Sequence, residues 1–173
     1  NEQDDYRDSD IDDYKEAALS LTKKGYIVIR MGKVVEKEFN TSNPMVFDYA
    51  SSSKRSDFLD IWLAANCSFY ISTSTGLDAV AVMFRRPIAF VNGPAIGTLS
   101  SSSNKHSIWQ SKKYFKKDGK TPLSVLDQIN EGLVYLNHGG EICRKGFLVK
   151  DNTPEEIKEA CLEVEAKISG TWK

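Results

Sequence analysis

The residues best suited to chemistry lie in the block Ser72-Thr73-Ser74-Thr75-Gly76, between two short apolar runs, 67–72 and 77–84. The pattern reads as strand, tight polar turn and helix, which places hydroxyls and unpaired backbone N–H groups at a helix amino terminus. Such a terminus attracts phosphate through its free donors and its dipole. A sugar donor linked through a pyrophosphate would suit it. Helix capping by Ser74 or Thr75 alone explains the same residues. Arg30 follows the run Tyr26-Ile27-Val28-Ile29 and precedes Met31-Gly32. A guanidinium at a strand end can grip a phosphate bidentately; the competing role is a structural ion pair with Asp48 or Asp60. Asp60 falls in an apolar segment, where a charge needs a partner. An internal salt bridge is the simpler expectation for it, orientation of a ribose or backbone amide the other. Ser56 and Asp57 read as caps of that segment.

Other chemistries find less support. Asp8-Ser9-Asp10 is formally a D-x-D triplet, a pattern used to hold a divalent ion, but it opens a helical pattern where acids complement the dipole. No metal site is therefore expected. His106 lies in a Gly/Ser/Asn-rich stretch and His138 precedes Gly139-Gly140, neither at a recognisable spacing from a Ser or Cys. A serine hydrolase would want G-x-S-x-G, and here the first glycine is replaced by Ser72. Neither G-x-x-x-x-G-K-[ST] nor G-x-G-x-x-G occurs, which disfavours a P-loop NTPase and an ordinary dinucleotide fold. Lys112, Lys113, Lys116 and Lys117 form a local basic patch. Contact with donor phosphate or an anionic acceptor is one reading, with Lys113 the contact residue; a solvated face is the simpler one.

These residues must be positioned by a scaffold. Ile11, Tyr14, Ala17, Ala18 and Leu21 recur at helical spacing, with Ser9 and Asp12 placed like a capping box and Gly25 as the stop. The spacing then predicts strands at 26–29, 45–48, 67–72 and 88–91, and helices at 58–65 and 77–84. Loops fill 33–45, the region from Ser51, and 93–107. A short helix is expected at 123–129, a last strand at 147–149, and a helix from Pro154 to about residue 168 behind the capping box Thr153-Pro154-Glu155-Glu156. Ile157, Cys161, Val164 and Ile168 mark its apolar face. Apolar strands alternating with helices indicate an α/β fold, a Rossmann-like parallel sheet with helices on both faces. In such sheets ligands bind beyond the carboxyl ends of the strands, which selects 30–33, 48–53 and 72–76.

The bulk numbers fit this picture. The 173 residues suit a single domain covering 1–173, with 40% hydrophobic and 27% charged residues. A net charge of −1 gives no field that would steer the chain to nucleic acid. No apolar run approaches the ~20 residues of a membrane span, and the acidic start is unlike a signal peptide. Cys67, Cys143 and Cys161 show neither pairing nor metal-ligand spacing. A reduced, cytoplasmic setting is expected, compatible with peripheral association at the inner face of a membrane.

Several segments, in order, resemble a bacterial surface-polysaccharide glycosyltransferase family: Tyr6-Arg7-Asp8-Ser9-Asp10-Ile11 with Tyr14; Gly25-Tyr26-Ile27-Val28-Ile29-Arg30-Met31-Gly32; Asp48-Tyr49-Ala50; Ser56-Asp57-Phe58-Leu59-Asp60; Ser74-Thr75-Gly76-Leu77; Arg86-Pro87; Val91-Asn92; and Lys112-Lys113-Tyr114. The resemblance spans about residues 6–116. More distantly, the strand–Ser/Thr–Gly–helix block is similar to the donor site of fucosyltransferase-like enzymes of the GT-B class. The resemblance implies two Rossmann-like domains around a cleft, with this chain as the carboxyl-terminal, nucleotide-sugar-binding half. It implies no metal and no cofactor beyond the donor substrate. Arg30, Ser74, Thr75 and Gly76 would face the diphosphate, Asp48 and Asp60 would contact or support the nucleoside, and Gly32 and Ser72 complete the substrate-binding set. In that family the segment before Arg7 carries a strand with a His/Arg-containing motif, and the acceptor domain supplies the general base; both lie outside this sequence. Association with such a domain, or homo-oligomerisation through an exposed sheet edge, is the expected partnership.

The leading expectation is thus a glycosyltransferase domain that binds a nucleoside-diphosphate sugar and supports its transfer to a glycan acceptor hydroxyl. A non-catalytic nucleotide- or sugar-binding module and a hydrolase using Ser74 are the alternatives.

Overall fold

The computed structural model describes residues 8–93, 95–98, 104–136 and 138–173. Part of the first resemblance segment, Tyr6-Arg7, and part of the 93–107 loop lie outside the described residues. A 3-10 turn, Ile11–Tyr14, leads into α1, Lys15–Thr22. Asp10, not Ser9, caps the turn: its carboxylate accepts from the Asp12 amide at 2.8 Å. The D-x-D triplet therefore works as a cap, and Asp10 also pairs with Lys37. Gly25, at φ +89°, ends the helical segment. Its N–H reaches the Thr22 carbonyl at 3.0 Å, and the Tyr26 N–H reaches Leu21 at 3.2 Å, the paired closure that a left-handed residue makes possible.

The strands that follow are shorter than the apolar runs that announce them: β1 is Val28–Arg30, β2 is Val46–Asp48 and β3 is Tyr70–Ser72. Helix α2, Asp57–Asn66, separates the last two and is capped by Ser56, as its position suggests. Helix α3, Asp78–Met83, leads to β4, Ile88–Gly93, and β5 follows at Ile108–Ser111. β1 and β2 are parallel, with Arg30 opposite Asp48. β3, β4 and β5 form a second parallel sheet in that order. The chain is mixed α/β.

β4 shows how the layers are built. Its side chains alternate between two apolar clusters. Ala89 and Val91 pack with Ala17 and Leu21 of α1 and with Ile157, Cys161 and Val164 of α6, Pro154–Ser169. Ile88 and Phe90 pack on the opposite face with Ala81 of α3. Helices thus cover both faces of this strand, which is buried along its whole length. Val28 of β1 and Ile71 of β3 join the same α1/α6 cluster, so both parallel sheets present a face to one helical layer.

The remaining elements form an annex. β6, Lys113–Lys116, pairs antiparallel with β7, Phe147–Lys150. α4, Val125–Asn130, and α5, Gly139–Arg144, accompany them. Tyr114, Leu123, Leu133 and Ile142 make its separate core. Residues 108–116 contain two strands that no apolar pattern announces, and β6 buries only one face. One expectation is corrected here. Lys112 is not on a solvated face: it is buried, donating to the Asp151 carboxylate at 2.7 Å and the Asp8 carbonyl at 2.9 Å. Two buried asparagines stitch the annex to the main layer. The Asn92 amide donates to Asn152 Oδ1 at 2.6 Å, and the Asn152 amide donates to Asn92 Oδ1 at 2.5 Å.

Candidate ligand cleft at the carboxyl ends of β1 and β3

From β1 the chain steps outward to β2; it then returns through α2 to β3 and steps outward the other way, to β4 and β5. The region between β1 and β3 is therefore where strand order reverses, the place at which open α/β sheets bind ligands. A cavity of about 830 Å³ lies there, and Arg30, Ser72 and Thr75 are among its lining residues. The cavity runs along both strands, and its Arg30–Ser72 end opens at their carboxyl ends.

On the β1 side, Arg30 is positioned by the register with β2. Its Nη1 donates to both oxygens of Asp48 at 3.2 Å and to the Lys37 carbonyl at 2.8 Å. Nε and Nη2 make no hydrogen bond to a described residue. Asp48 also accepts the Phe39 N–H at 2.8 Å. Burial alone would raise the Asp48 pKa; the Phe39 amide, the Ser51 hydroxyl and Arg30 outweigh it and hold the carboxyl below its ordinary 3.8. Of the two roles weighed for Arg30, the ion pair with Asp48 is present, and it leaves two guanidinium nitrogens open.

Gly32 and Asp60 lie behind the rim and are joined by a residue that motif reading passed over, Arg55. Its Nε donates to the Gly32 carbonyl at 3.1 Å and its Nη2 forms a short ion pair with Asp60. The buried carboxylate of an otherwise apolar helix thus has its internal partner, as expected. The signal for Arg55 was that demand itself: a cation had to come from nearby, and Arg55 precedes the same helix. Gly32 sits at φ +155°, and a Cβ there would lie 2.8 Å from Val35 Cγ1, so the tight turn excludes a side chain.

On the β3 side, the expectation that Ser74 or Thr75 caps α3 is corrected. The residue preceding α3 is Leu77, and no side chain caps it. Instead the buried Ser72 hydroxyl accepts the Ser74 N–H at 3.0 Å and the Thr75 N–H at 3.5 Å, while donating to Asp78 Oδ2 at 2.6 Å. Burial pushes the Asp78 carboxyl up, ahead of the opposing hydrogen bonds from Ser72 and Thr75. Ser74 is held at φ +66°, a left-handed conformation that non-glycine residues seldom adopt. The Gly76 and Leu77 amides make no hydrogen bond to a described residue. Ser74 and Gly76 stand on the turn outside the cavity lining.

Lys113 belongs elsewhere: it lies on β6, paired with Glu156 at 2.7 Å, and does not line the cavity. Among the described residues no group of three or more His, Cys, Asp or Glu could hold a metal ion, and no helix is long and apolar enough to cross a membrane.

No known protein family, curated protein or solved structure matches this chain.

Proposed function

We propose that this chain is the donor-binding part of a glycosyltransferase, a Rossmann-like half of a GT-B arrangement that takes a nucleoside-diphosphate sugar in a cytoplasmic setting. The observation that carries the reading is that Arg30, Ser72, Thr73 and Thr75 line one cavity between the carboxyl ends of β1 and β3. The Nε and Nη2 of Arg30, without a partner among the described residues, are donors suited to a diphosphate, and the Gly76 and Leu77 amides, also without one there, stand on the turn outside the cavity lining. In the reaction, an acceptor hydroxyl oxygen bonds to the anomeric carbon as the bond from that carbon to the diphosphate oxygen breaks. The electron pair leaves with the nucleoside diphosphate, where a guanidinium and backbone N–H groups stabilise the added charge. The acceptor proton passes to a base that this reading places outside the chain.

Calorimetry with GDP, UDP, ADP and CDP tests the proposal. Binding of one of them at millimolar concentration or below, weakened about tenfold by Arg30→Ala, is the expected result. Absence of binding by all four refutes it. Binding without sugar transfer, even after a matching acceptor domain is supplied, would leave a non-catalytic nucleotide-binding module.

One observation favours a second reading. A serine at positive φ between a strand and a helix is the backbone setting of a hydrolase nucleophile, and Ser74 has it. No imidazole hydrogen-bonds Ser74 among the described residues. Labelling of Ser74 by a fluorophosphonate, abolished by Ser74→Ala, would select the hydrolase.

A further inference from the structure

We infer that the space between β1 and β3 is a slot for one additional β-strand, an apolar segment of polypeptide running parallel to both. The inference does not depend on nucleotide binding. In a parallel pair each strand uses alternate residues toward one neighbour. Val28 donates to Met45 on the β2 side and Tyr70 donates to Pro87 on the β4 side, so the amide and carbonyl of Ile29 and of Ile71 point the other way, into the gap. No hydrogen bond joins β1 to β3. Both are edges, although they lie in the middle of the layer.

The two edges run in the same direction. At the amino ends, the Tyr26 and Phe69 rings meet edge to face with centroids 5.9 Å apart; at the carboxyl ends, Arg30 and Ser72 line the same cavity. The faces of the cavity are closed by Ala18 and Leu21 of α1 on one side and by Trp62 and Leu63 of α2 on another. The lining thus includes two unsatisfied backbone edges and apolar side chains from two helices, together with the polar side chains of Lys24, Asn66, Ser68 and Glu165. A nucleotide satisfies neither edge, and a layer of apolar side chains alone would leave four backbone groups unpaired. A strand of β-branched residues satisfies all of them, because strands buried on both faces are apolar throughout. The carboxyl end of such a strand would emerge between Arg30 and Ser72 and complete the rim of the ligand cleft.

The experiment adds the peptide acetyl-Lys-Val-Ile-Val-Ile-Val-Lys-amide to the full chain and follows amide hydrogen exchange. The Ile29 and Ile71 amides should exchange rapidly in the chain alone and slow by about tenfold or more with peptide. The same peptide N-methylated at every second residue keeps its apolar side chains and loses half its donors; it should give no protection. Ile29→Pro removes a slot-facing N–H that β2 does not use, and should abolish the effect at Ile71 too. Protection of both amides without peptide would mean that β1 and β3 pair directly, and would overturn the inference. Equal protection by the methylated peptide would also overturn it, as would no protection by either.

Discussion

Arg30 and Asp48 stand directly opposite one another in the β1–β2 register, and one guanidinium nitrogen reaches both carboxylate oxygens. Both side chains are largely buried, at 10% and 14% exposure. Removing one member of such a pair strands the other in a poorly solvated place. Asp48→Ala should therefore lower the stability of the β1–β2 ribbon by about 3 kcal/mol, read as a reduced urea midpoint for its detachment. If Arg30 also holds the donor, Arg30→Ala and Asp48→Ala should move diphosphate affinity in opposite directions. Loss of affinity in both variants would mean that the pair acts only as scaffold.

The same carboxylate sets an acid limb. Its folded pKa lies below its ordinary 3.8, so ionisation favours the native state above that value, and the stabilisation is lost as pH falls through and below it. Thermal unfolding between pH 6 and pH 2.5 should fall less steeply in Asp48→Asn than in the parent. Parallel curves would remove Asp48 from the account.

The reciprocal bonds of Asn92 and Asn152 predict a large effect from a small change. Asn152→Ala removes the acceptor of the buried Asn92 N–H and the side-chain donor to the Ser111 carbonyl, at a cost of about 2–3 kcal/mol. The loss should show in denaturant unfolding. Asn92→Ala strips the buried Asn152 N–H of its acceptor, and because Asn92 sits at φ +50° it adds backbone strain, so it should be worse than Asn152→Ala.

Thiol chemistry gives a further check. Burial raises the Cys161 thiol to about 12, and its side chain is fully enclosed, whereas Cys143 is exposed. Under native conditions Cys143 should react promptly with iodoacetamide and Cys161 only after unfolding. Rapid alkylation of Cys161 in the folded chain would contradict the α1/α6 packing.

The main layer was legible because its residues carry periodic signals that local structure obeys. Gly25 stops its helix, Ser56 and Thr153 cap theirs, and the apolar runs ending at Arg30 and Ser72 are strands. β5, β6 and α5 were not legible. β6 is two aromatic residues between two lysines, with only Tyr114 buried, and the six-residue α5 opens on two glycines, so neither shows an apolar period long enough to read. At the site, motif and position brought out Arg30, Ser72 and Thr75, but not the division of labour among them. Ser72 rather than Ser74 or Thr75 serves the amides: its buried hydroxyl at the strand end accepts the N–H groups of both turn residues. Arg55 left no motif; it follows only from what Asp60 needs. The gap beside β1 has no signature in these residues, since an unused backbone edge looks the same in sequence as a used one.

Because no backbone hydrogen bond crosses from β1 to β3, the β1–β2 ribbon is attached to the rest of the molecule through side chains and α1. Its loss does not require the breaking of the β3–β4–β5 ladder. The chain should therefore not melt as one cooperative unit: the ribbon forms a low-free-energy foldon that detaches before β4 opens, and whatever ties the two halves of the layer together also sets whether unfolding is two-state.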